Sequence, residues 1–167
     1  FLADGGHFEL SPMYHEILLW DLLELIDLAK TSGNPVFFPY VEYWRQVAFK
    51  GIEWLQTMTH PDGEISFFND ATIGIAAEPT QIYSYAQKLG IKTDNSISIL
   101  STLSSSGYSR ISMAEHDAFF DHGNVGPDYL PGHAHADSLS FEWSVGKQRV
   151  FVNSGTSLYG LSPERVR

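Results

Sequence analysis

With 167 residues, 43% of them hydrophobic and 14% aromatic, the chain can bury a sizeable core, which excludes a generally disordered segment. A formal net charge of −10 argues against a nucleic-acid partner, and a cysteine count of zero excludes disulfides and thiolate metal sites. No apolar run reaches the roughly 20 residues of a membrane span, because Ile17–Leu28 is interrupted by Asp21, Glu24 and Asp27.

The first half reads as helices. Ser11-Pro12 is a helix start, a hydroxyl cap followed by proline at the first helical position. Ile17, Leu18, Trp20, Leu22, Leu25, Ile26 and Leu28 cover most of that helix's circumference, so it packs on more than one side. It ends near Thr31-Ser32-Gly33, where glycine can take the left-handed cap. A second helix fits Tyr40 to about Met58, with apolar residues at three- and four-residue spacing. His60-Pro61-Asp62-Gly63 is a turn, 65–77 is extended or looped, and a third helix fits Glu78–Leu89, closed by Gly90.

The pattern changes after about residue 105. Gly107–Ala114, Ala118–His122, Ser138–Val145 and Arg149–Val152 read as short strands between Gly, Pro, Asn and Asp turns. Helices followed by strands give an α+β chain of more than one domain: 1–95 helical, a polar linker at 96–106, and 107–167 as the first strands of an antiparallel sheet. No signal peptide is visible from Phe1, and the sequence reads as an excerpt of a longer chain.

Two histidine-bearing segments can carry chemistry. In Asp4-Gly5-Gly6-His7-Phe8-Glu9-Leu10-Ser11-Pro12-Met13-Tyr14-His15, His7 and Glu9 precede a helix whose first turn holds Tyr14 and His15. A helix N-terminus favours a bound carboxylate and disfavours a protonated histidine, although these side chains could equally serve as packing and capping groups. In Gly132-His133-Ala134-His135-Ala136-Asp137-Ser138, an extended backbone would set His133, His135 and Asp137 on one side. Two imidazoles and a carboxylate suit a metal site, a proton-transfer cluster, or a structural network at a sheet edge. Trp44, Trp54 and the Phe67-Phe68 and Phe119-Phe120 pairs read as core, and Asn69-Asp70 as a turn whose side chains hold backbone N–H groups.

DGGHFELSPMYH, PDGEISFFNDA and GHAHADSLSFEWSVGKQRVFVNSGT, in this order and spacing, resemble blocks of the heparinase II/III-like family across nearly the whole chain. The resemblance implies the C-terminal helices of an α/α toroid followed by the start of an antiparallel β-sandwich, with a cleft between them. It implies a carbon–oxygen lyase that cleaves uronate-containing acidic polysaccharide by β-elimination, and a periplasmic or secreted location. A surface this acidic repels such a polymer on average, so its site must be a local basic or dipolar pocket. By resemblance, His133 is the sandwich-side catalytic histidine, and the group that neutralises the uronate carboxylate falls near His7 or Glu9, with His15 and Tyr14 beside them. His135 resembles a ligand of a structural zinc seen in some members, with Asn153 where those members carry aspartate; no cofactor is otherwise required. The family's catalytic tyrosine is expected near Pro61-Asp62-Gly63, where this sequence has none, and Tyr14 and Tyr129 stand as substitutes. That departure leaves open a non-catalytic carbohydrate-binding or polysaccharide-assembly protein on the same scaffold. A metal-dependent hydrolase using His133, His135 and Asp137 is a third reading.

Overall fold

The computed structural model describes residues 1–94, 96–129, 132–155 and 163. Three helices come first: α1 (Pro12–Ser32), α2 (Phe38–Thr57) and α3 (Pro79–Lys88). Helix α1 starts at the proline after Ser11 and stops at Gly33, whose φ of 61° is the left-handed cap that glycine adopts without a side-chain penalty. A single 3-10 turn, Pro35–Phe37, leads into α2, so that helix begins slightly earlier than its apolar pattern predicts. In α3, Glu78 and Gln81 close a reciprocal capping box. Leu19, Leu23, Ile26, Ala48, Ile52, Leu55 and Ile82 form the core where the three helices meet.

Five strands follow in one antiparallel meander ordered β1 (Leu100–Leu103), β2 (Tyr108–Met113), β3 (His116–Asp121), β4 (Phe141–Val145) and β5 (Gln148–Phe151). Strand β1 lies within 96–106, the stretch read from sequence as a linker, and its register pairs Leu100 with Ile111 and Leu103 with Tyr108. The GHAHAD stretch is not extended. Residues 132–140 form successive turns ahead of β4, with Leu139 at a φ of 66° and the Ser140 N–H bonded to the Asp137 carbonyl.

The sheet turns an unusually polar face toward the helices: Arg110, Asp117, Asp121, Glu142 and Ser144 are all buried there beside Tyr108 and Phe119. Burying such groups is tolerable only when each finds a partner. Arg110 pairs with Asp117 and donates to the carbonyls of Gln56 and Thr59 at the C-terminal end of α2, where positive charge is favoured. Around this polar seam a second apolar cluster, comprising Leu10, Trp54, Met58, Phe68, Leu103, Tyr108 and Phe119, joins helices to sheet. That seam fixes the two histidine-bearing segments relative to each other.

Candidate active site

The loop before α1 is moulded onto α2. Gly5 has a φ of 95°, and a Cβ there would lie 2.3 Å from the Lys50 carbonyl oxygen; one on Gly6 would lie 2.5 Å from Trp54 Nε1. Only glycine permits that approach. Asp4 ties the same turn to the β1–β2 connection, its Oδ2 accepting from the N–H groups of Ser105 (2.8 Å) and Ser106 (2.7 Å).

His15 fixes the next layer. It is wholly buried; its Nδ1 accepts from the His7 backbone N–H (3.1 Å), so Nε2 carries the proton and donates to the Gly51 carbonyl (2.9 Å). Burial pulls its pKa down to about 3, against which the Gly51 hydrogen bond pushes only partly back. His15 is therefore a neutral anchor beneath the site. His7 is also buried, with its pKa lowered to about 4, chiefly by that burial. Its Nδ1 is covered, has no hydrogen-bond partner among the described residues, and lies 3.9 Å from Glu9 Oε2.

The reachable groups are Glu9, Tyr14 and His133, all half-buried. His133 comes from the sheet half and lands on the helical half: its ring lies 4.0 Å, centroid to centroid, from that of Tyr14. Its Nδ1 is 2.6 Å from Asp70 Oδ2 and its Nε2 is 3.4 Å from Glu9 Oε2. The clasp that holds it there is Asn69. The Asn69 backbone N–H donates to Asp137 (2.6 Å), its Nδ2 donates to the Leu10 carbonyl and to the Tyr108 hydroxyl, and its Oδ1 accepts from the His135 N–H. One residue thus joins the His7 loop, β2 and the histidine loop.

The structure gathers five of the sequence candidates in depth order: Glu9, Tyr14 and His133 at the surface of the cleft, His7 behind them, His15 at the base. The condition for His133, His135 and Asp137 to share a side, an extended backbone, is not met, because the stretch is a run of turns. Tyr129 is exposed and stacks on Phe8, whereas the tyrosine ring in contact with His133 is that of Tyr14. Near Pro61-Asp62-Gly63, Asp62 pairs with Arg149. Asp70, which the sequence reading took as a turn residue, is the further carboxylate that the structure brings to His133.

His135 and Asn153 line a separate cavity of about 460 Å³ together with Asp137 and Ser140. Asn153 spends its amide on Asp137 Oδ2 (3.1 Å) and accepts from the Gly155 N–H at Oδ1 (2.8 Å). Among the described residues no three His, Cys, Asp or Glu side chains gather as a metal site. This donor set does not fit a tetrahedral zinc.

A helical layer and an antiparallel sheet that meet at a cleft holding an imidazole, a phenol and two carboxylates define a chain equipped for proton transfer. Both halves match family models, heparinase II/III N-terminus over residues 1–93 and heparinase II/III-like, C-terminal over residues 98–167, and the chain belongs to the heparinase II/III-like family. No curated protein matches it. Among solved structures it is similar to the heparan sulfate lyase HepC from Pedobacter heparinus (TM-score 0.75, 20% identity, 97% of this chain and 27% of that one). It is similar also to a heparinase III gene product (TM-score 0.77, 22% identity, 98% of this chain and 27% of that one). The chain thus spans about a quarter of the length of these structures.

Proposed function

We propose that the intact protein is a polysaccharide lyase that cleaves an acidic, uronate-containing polymer by β-elimination at the Tyr14–His133 cleft. The observation that carries this is the contact between those two rings, one from each half of the chain. Elimination needs a base to take the C5 proton, so that its electron pair forms the C4–C5 double bond as the C4–O bond breaks. It also needs an acid to protonate the departing oxygen. An imidazole is suited to accept a proton near neutrality, which gives His133 Nε2 the role of base. The Tyr14 hydroxyl then donates to the leaving oxygen.

The uronate carboxylate must be neutralised for C5 to become acidic, because charge builds toward it in the transition state. Glu9 is the half-buried group placed for this, and it neutralises the substrate carboxylate only in its protonated form, by donating a hydrogen bond to it, with His7 and His15 holding its loop from behind. The reaction is assigned to side chains alone. The same reading makes α1–α3 the tail of an α/α toroid and the meander one layer of a β-sandwich. The sheet's outer surface supports this, since Leu100, Ile111, Met113, Phe141, Val150 and Phe151 are exposed there. A periplasmic or secreted location accords with a polymeric substrate. The non-catalytic alternative arose from the missing tyrosine at 61–63; Tyr14 beside His133 supplies one.

The test is the ultraviolet absorbance of the unsaturated uronate product, measured with the intact protein on a panel of uronate polymers. His133→Ala and Tyr14→Phe are each expected to lower kcat by roughly 10²- to 10⁴-fold. Full activity in either variant removes that residue from the mechanism, and tight binding of a polymer with no product at all selects the binding-protein reading.

A further inference from the structure

Asp70 is the least explained polar group in the cleft. It follows Asn69, which is held at a φ of 57°, and its side chain is 9% exposed. A turn aspartate ordinarily spends its oxygens on nearby backbone N–H groups. Here the turn is closed without it, by the Ala71 N–H on the Phe68 carbonyl. Among the described residues Oδ1 is buried and makes no hydrogen bond, and Oδ2 meets His133 Nδ1 at 2.6 Å. The carboxylate is therefore committed to one imidazole that arrives from 63 residues further along the chain.

We propose that Asp70 is a positioning residue that fixes the tautomer and orientation of His133 for the elimination, an inference that rests on the lyase reading of the cleft. A carboxylate oxygen only accepts, so the His133 nitrogen facing it must be the protonated one. Nδ1–H then points at Asp70, and the lone pair of the neutral ring is left on Nε2. That is the nitrogen on the Glu9 side, where the substrate's acidic group would enter. The Tyr14 ring packed at 4.0 Å limits rotation of the imidazole about its own axis. Three contacts thus define one pose, and Asp70 supplies the one that selects which nitrogen is basic. The arrangement follows the general rule that a third group orients the base. The groups around His133 are Asp70, Glu9, Tyr14 and His7.

Asp70→Asn keeps the shape but offers an amide that can donate to Nδ1 and move the proton to Nε2. In the intact protein it is expected to lower kcat by about tenfold or more, with KM within about twofold, because the fault lies in the base rather than in binding. Asp70→Glu, which keeps an acceptor on a longer arm, is expected to recover part of the loss. Selective ¹⁵N-histidine labelling gives a readout independent of turnover: His133 should carry its proton on Nδ1 in the parent and shift toward Nε2–H in Asp70→Asn. If Asp70→Asn keeps its kcat and its tautomer while His133→Ala is inactive, the role given to Asp70 is wrong and the lyase reading stands. If His133→Ala is as active as the parent, His133 leaves the mechanism and the catalytic purpose of Asp70 goes with it, whatever the tautomer; if the parent itself releases no unsaturated product from any uronate polymer, the lyase reading fails. Should Asp70→Asn fail to fold, the decision passes to Asp70→Glu: an Nδ1–H tautomer with partial kcat supports the proposal, and an Nε2–H tautomer with full kcat overturns it.

Discussion

Glu16 lies two residues beyond Tyr14 on α1, is 4% exposed, and has a buried Oε1 with no hydrogen-bond partner among the described residues. Burial, reinforced by Glu64 and Glu78, pushes its pKa up to about 8, so the folded chain holds it protonated at neutral pH. An unfolded glutamate releases that proton near pH 4.5, the reference value. Between those two values the folded state binds more protons than the unfolded one, so stability falls as pH rises from about 4.5 to 8. The buried histidines act in the opposite sense. His15 and His7, lowered to about 3 and about 4, stay neutral where an unfolded imidazole charges, and stability is lost as pH drops below about 6.5. Glu16→Gln should remove the alkaline limb alone. The variant's Tm should exceed the parent's at pH 8 and approach it at pH 5, with a gain on the order of 1–3 kcal/mol at the higher pH. Equal Tm profiles for the two proteins would show that Glu16 is ionised in the fold.

At the scale of elements, the seam between the start of α1 and strand β2 rests on one phenol. Tyr108 is 1% exposed; its hydroxyl donates to the Leu10 carbonyl (2.7 Å) and accepts from Asn69 Nδ2 (3.0 Å). Leu10 sits at a φ of 65°, a conformation that costs a non-glycine residue energy and persists only if neighbours enforce it. Tyr108→Phe should therefore destabilise by about 1–2 kcal/mol in urea unfolding, with the slope of the transition unchanged. A loss under about 0.5 kcal/mol would mean that Asn69 alone holds Leu10. The helices were legible in the sequence because Pro12, Gly33, Pro79 and Gly90 bracket periodic apolar runs. Strand β1 was not, since Leu-Ser-Thr-Leu is a short edge strand whose Leu100 is 61% exposed, and nothing in its alternation marks a buried face. The conformation of the histidine loop stayed open in the sequence for a different reason. Alternating small and ionisable residues look like a strand, but Asp137 is held by Asn69 and Asn153, distant partners that no local pattern announces. The same long range hid Asp70, whose meaning appears only when His133 is set beside it.

Over the whole molecule, helices and sheet are locked by a polar contact that water does not reach. His60, from the turn after α2, bonds Ser144 through Nδ1 and Glu142 through Nε2, both at 2.7 Å, and all three residues are no more than 2% exposed. Glu142 also accepts from the backbone N–H groups of Phe67 (3.0 Å) and Asn153 (2.9 Å), which ties the loop before the FFND block to the end of β5. Three donors bond the carboxylate and the Arg149 guanidinium lies 3.9 Å from its Oε2, so the charge is compensated without a fully formed imidazolium. Burial lowers the pKa of His60, the Glu142 hydrogen bond opposing it, and in the neutral ring Nε2–H donates while Nδ1 accepts from the Ser144 hydroxyl. The arrangement has the connectivity of a catalytic triad, but its burial leaves it no substrate, and its effect is to hold the cleft walls at a fixed separation. Removing one member of such a set strands the others. His60→Ala should cost about 3–5 kcal/mol, because it leaves Glu142 charged, buried and short of a donor. Ser144→Ala removes one neutral hydrogen bond and should cost nearer 1 kcal/mol. Both are measurable as a fall in the urea midpoint followed by the fluorescence of Trp54, which lies wholly buried in the seam. Near-equal losses for the two variants would mean that Glu142 is protonated in the folded state and that the lock is a chain of neutral hydrogen bonds. If the losses differ as expected, the proposed lyase activity of the intact protein should fall in His60→Ala even well below its Tm, because the contact between His133 and Tyr14 joins the sheet half to the helical half.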